Sequence, residues 1–182
     1  MREWRMEAEG LPDGRARLVI TPLFEFVPPA YDEFDRFIGF LAEATEQLWH
    51  AKDEFSARMG ITLEETYSLR EELSLIRHYV LGVRRHQNPH TGEFHGTTEV
   101  RRTSTEWDVL PKIGAGLLPD GRLTLTLGRR ELAIFANCVD VAIESLGVDE
   151  FWIRRSMTPE EAEAFRDELR RLDWETQVKD PS

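Results

Sequence analysis

The feature that most constrains the fold of this chain is an internal repeat. Residues 53–73 read DEFSARMGITLEETYSLREEL and align without a gap to residues 149–169, DEFWIRRSMTPEEAEAFRDEL, with ten identical positions. Farther upstream, the pentapeptide LPDGR occurs at residues 11–15 and again at residues 118–122. Two copies of one unit in a chain of 182 residues predict a duplicated fold whose copies pack about a pseudo-two-fold axis.

Each copy has the sequence pattern of a strand followed by helices. Residues 31–50 and 129–146 carry apolar side chains at three- and four-residue spacing, which predicts a long helix in each copy. Alternating leucine and threonine at 123–127 is typical of a half-buried strand, and residues 17–27 are rich in strand-forming types. Residues 97–109 also predict one or two strands. We therefore expect an α+β fold of two strand–long helix–helical corner–capped helix units, with the long helices central.

The repeated segment predicts how the second helix of each copy begins. Thr62 and Glu65 have the spacing of a capping box, and so do Thr158 and Glu161. In such a box each residue's side chain accepts a hydrogen bond from the other residue's backbone amide. Gly60 supplies the tight turn before the first of these helices, and Gly82 is the expected end of that helix. The shared carboxylates Glu65 and Glu161 therefore have a structural explanation.

The charge distribution divides the chain into two acidic copies and a basic insert. Net charges are −8 for residues 1–76, +2 for residues 77–112 and −5 for residues 113–182. We expect one compact domain with five parts, which are a flexible N-terminus (1–10), copy 1 (11–76), a basic, histidine-containing insert (77–117), copy 2 (118–172) and a polar tail (173–182).

The acidity favours a binding function. A net charge of −11 repels phosphate backbones and suits a basic protein partner. We expect a small acidic interaction protein, and an immunity-type inhibitor that masks a cationic active site is its most concrete form. A homodimer is a further state that the sequence leaves open. The carboxylates without a capping or core role are the candidate partner-binding residues, namely Glu43, Glu46, Glu64, Asp140, Glu144 and Glu160.

The alternative is a metal-dependent enzyme built on the insert. His86, His90 and His95, with Glu93, could ligate a divalent metal ion. The sequence contains no P-loop, no Gly-x-Ser-x-Gly and no His-Glu-x-x-His motif, which disfavours the common enzyme classes. We therefore lean against catalysis and expect no cofactor other than this possible metal.

A second alternative is a helix-turn-helix DNA-binding regulator, because the repeated corner has the proportions of that motif. The candidate recognition helices open with paired glutamates, Glu64 with Glu65 and Glu160 with Glu161, which would repel phosphate. Nucleic acid is therefore an unlikely partner. The single Cys138 excludes an intramolecular disulfide, and no apolar run is long enough for a membrane span, so we expect a cytoplasmic location and no membrane partner.

Overall fold

The computed structural model describes residues 7–20, 33–84, 113–117, 123–155 and 157–178. These residues form an α+β fold with a small antiparallel sheet and long helices. The elements in chain order are β1 (Glu7–Gly10), β2 (Ala16–Ile20), α1 (Glu33–Leu48), α2 (Lys52–Met59), α3 (Leu63–Arg84), β3 (Gly114–Leu117), β4 (Leu123–Leu127), α4 (Arg129–Ser145), α5 (Val148–Arg155) and α6 (Pro159–Val178).

The order of these elements is the same in both halves of the chain. Each half has two strands, then a long helix, then a helix of eight residues, then a second long helix. The long helices have 16 and 22 residues in the first half and 17 and 20 residues in the second. The predicted long helices and the Leu123–Leu127 strand are confirmed. The predicted helical corners are confirmed as the eight-residue helices α2 and α5, which we call the corner helices.

Within the described ranges the sheet has four strands in the order β1-β2-β4-β3, and all neighbours are antiparallel. β1 and β2 are joined by the first LPDGR turn, in which the amide of Leu11 donates to the carbonyl of Arg15 over 2.7 Å. Gly14 lies at φ 75°, a conformation that favours glycine. The second LPDGR segment lies outside the described residues.

The core lies between the sheet and the helices. Six phenylalanine side chains of the described part of the chain are fully buried, namely Phe37, Phe40, Phe55, Phe135, Phe151 and Phe165. α4 packs against both α1 and α6, so the two predicted central helices are in contact. On the central strands, Leu18 and Leu125 are fully buried beneath them. Burial of several large aromatic side chains supplies a large part of the hydrophobic stabilisation.

Three features differ from the sequence-based expectation or lie beyond it. Residues 7–10 form β1, although the first ten residues were expected to be flexible. α3 continues to Arg84, past the end expected at Gly82. The strands expected within residues 97–109 lie outside the described part of the chain. No helix in the described ranges is long and apolar enough to cross a bilayer.

Candidate functional site

The two capping boxes are present with the same geometry. The Thr62 amide donates to Glu65 Oε2 over 2.8 Å, and the Glu65 amide donates to Thr62 Oγ1 over 3.1 Å. The corresponding distances at Thr158 and Glu161 are 2.9 and 3.2 Å. Gly60, at φ 70°, ends α2 and turns the chain into α3. These bonds explain why both glutamates recur in the repeat without any catalytic role.

In each half of the chain, an arginine of the eight-residue helix forms an ion pair with the first long helix of the other half. Arg58 of α2 lies 2.5 Å from Glu144 of α4. Arg154 of α5 lies 3.1 Å from Glu46 and 2.6 Å from Glu43, both on α1. Each corner helix is therefore joined to the long helix of the other half by an ion pair.

Glu43 corrects a sequence-based assignment. It was expected on the solvated face of α1, but its side chain is fully buried. Glu43 Oε1 accepts hydrogen bonds from Arg154 and from Gln47 Nε2, the latter over 2.9 Å. The periodicity of α1 could not show this burial, because Arg154, which donates a hydrogen bond to Glu43, lies 111 residues away on α5.

Asp140 also lies in an intramolecular ion pair. Arg166 Nη1 lies 3.2 Å from Asp140 Oδ1, and Arg170 binds the other carboxylate oxygen. Both arginines belong to α6, so the cluster joins α4 to the neighbouring helix. Because the two arginines partly neutralise the Asp140 carboxylate, it attracts an external cation less strongly.

Glu64 and Glu160 are exposed in the first turns of α3 and α6. The backbone amide of Glu64 and then Lys52, 3.2 Å away, lower the pKa of the Glu64 carboxyl below its usual value. The backbone amide of Glu160 and then the Thr158 hydroxyl lower the pKa of Glu160. Both carboxylates are therefore charged at neutral pH, as expected for acidic groups at helix N-termini.

Further exposed carboxylates were missed by the sequence analysis. Asp53, Asp149, Glu150, Glu71 and Glu163 are exposed, and none has an ion-pair partner among the described residues. The first three open the corner helices, where acidic residues are typical of the helix N-terminus. Position in the first turn was the signal that could have identified them.

Glu131 is a buried carboxyl that the sequence analysis did not single out. Its side chain is 1 % exposed, and Oε2 has no hydrogen-bond partner within the described structure. Burial raises the pKa of Glu131. Hydrogen bonds from the backbone amides of Glu131 and Gly128 lower this pKa and offset part of the rise. A Cβ atom added to Gly128 would lie 2.5 Å from Glu131 Oε2, so this glycine makes room for the carboxyl.

The proposed metal ligands His86, His90, Glu93 and His95 lie outside the described residues. Within the described ranges no three His, Cys, Asp or Glu side chains are grouped so as to hold a metal ion. Cys138 is fully buried in α4, and burial raises the pKa of its thiol. A buried, protonated thiol is a poor nucleophile, and Cys138 packs as a small residue of the core.

Among the described residues, five large apolar side chains are exposed, namely Trp49, Tyr67, Val148, Trp152 and Trp174. Val148 and Trp152 are four residues apart on α5 and are therefore neighbours on the helix surface.

Comparison with known proteins reveals no significant similarity to a family model, to a curated protein or to a solved structure. The function is therefore inferred from the residues and their geometry alone.

Proposed function

We propose that the chain is a duplicated unit with an internal pseudo-two-fold axis and that it binds a basic protein partner through its acidic surface. Three observations support the duplication. First, the strand registers correspond, because Glu7 pairs with Val19 in the first hairpin and their repeat equivalents Gly114 and Thr126 pair in the second.

Second, equivalent residues meet each other where the halves join. Leu18 and Leu125 occupy the same position of the repeat, and they are opposite each other in the β2–β4 ladder. Phe37 and Phe135 are also equivalent, and their ring centroids are 4.6 Å apart. A two-fold axis places equivalent residues opposite each other in this way.

Third, the ion pairs between the halves are reciprocal. Arg58 binds Glu144, and the equivalent Arg154 binds the equivalent Glu46. An isologous contact has this pattern, since residue i of one copy meets residue j of the other and j meets i.

The observation that carries the binding proposal is the set of exposed, charged carboxylates at the corners of both halves. Glu64 and Glu160 are held ionised, and Asp53 and Asp149 open the preceding helices. Such charges attract a basic partner and accelerate its association. An immunity-type inhibitor that covers a cationic active site is the most concrete form of this function.

The contribution of the other four candidate carboxylates is ranked by their surroundings. Glu46, Glu144 and Asp140 are bound to arginines. We place them second to Glu160, which has no ion-pair partner among the described residues, and to Glu64, whose ion pair with Lys52 is exposed on both sides. Glu43 is buried, so we leave it out of the proposed surface.

The test begins with affinity capture from the native host and identification of a basic protein that is retained. The association rate of that protein is then measured by stopped flow between about 50 mM and about 500 mM salt, a range over which screening shortens to a few ångströms. We expect the rate to fall steeply with salt. The double substitution Glu64→Gln with Glu160→Gln should lower the rate at low salt.

A matched control is Glu168→Gln with Glu175→Gln, which removes the same charge from side chains that both bind Arg171. We expect this pair to change the rate less than the corner pair. A rate that is independent of salt, or equal effects of the two pairs, would contradict docking through the corner carboxylates.

A further inference from the structure

We draw no further inference here: the strongest candidate, the surface patch that the exposed side chains of Val148 and Trp152 form on α5, carries none because nothing in the described part of the structure shows what covers it.

Discussion

The rings of Phe37 and Phe135 meet edge to face, with centroids 4.6 Å apart and an interplanar angle of 68°. The two residues come from the central helices α1 and α4 and are equivalent in the proposed duplication. Phe37 also lies 5.3 Å from Phe165 of α6, so its ring has aromatic neighbours on two helices. The junction between the halves is thus a continuous part of the core.

Truncating either ring should destabilise the protein strongly and by a similar amount. Phe37→Ala and Phe135→Ala should each lower the free energy of unfolding by about 3–5 kcal/mol, because both rings are buried and a cavity remains. Urea denaturation measures this. Tyr67→Ala, at a side chain that is 48 % exposed, should change the free energy by less than about 0.5 kcal/mol. Losses that are small at both phenylalanines would contradict a shared core.

The two crossing arginines should differ in importance despite their equivalent positions. Arg154→Met should lower the free energy of unfolding by about 2–3 kcal/mol, because it removes a charged hydrogen-bond partner from the buried Glu43. Arg58→Met should cost less than about 1 kcal/mol, since its partner Glu144 is exposed. Thermal or urea denaturation of both variants compares them directly. Equal costs would show that burial of Glu43 does not govern the energetics.

Local patterns in the sequence predicted the parts of the fold that depend on neighbouring residues. The capping boxes at Thr62 and Thr158 were predicted because their hydrogen bonds join residues three positions apart. The turn at Gly60 was predicted because its positive φ favours glycine. The long helices followed from the spacing of apolar residues alone.

Features that depend on distant packing were not predicted. Glu43 was assigned to solvent, since nothing in the sequence of α1 indicates that Arg154 of α5 binds it. Glu131 was not identified as a buried acid, because its sequence neighbours resemble those of an ordinary first-turn glutamate. The acidic, short β1 gave little strand signal of its own, and its pairing with β2 decides its structure.

The close approach of Gly128 and Glu131 makes a further prediction. Gly128→Ala should lower the free energy of unfolding by about 1–3 kcal/mol, because the new Cβ would lie 2.5 Å from the buried Glu131 Oε2. Gly147→Ala is the matched control, since Gly147 likewise precedes a helix but an added Cβ meets nothing within 4 Å. Denaturation midpoints that shift equally in the two variants would show that Glu131 moves aside at no cost.

The buried carboxyl of Glu131 should make stability depend on pH in an unusual direction. Burial raises its pKa above the usual 4.5, so the folded state holds the proton more tightly than the unfolded state. The stability that this group contributes is therefore fully present below about pH 4.5 and is lost as the pH rises through the raised pKa. Because a glutamine side chain does not titrate, Glu131→Gln does not show this loss of stability as the pH rises.

We therefore expect the free energy of unfolding of Glu131→Gln, relative to that of the unmodified chain, to increase as the pH rises from about 4.5 to about 8. Urea denaturation across this range measures the difference. The change of this difference with pH is decisive, because a packing defect of the glutamine would alter the free energy of unfolding by the same amount at every pH. Glu163→Gln, at an exposed position of α6, should give a difference that changes much less with pH. A difference that is constant for Glu131→Gln would mean that its carboxyl ionises as readily in the folded state as in the unfolded state. The missing partner of Oε2 would then have to be solvent that reaches the N-terminus of α4.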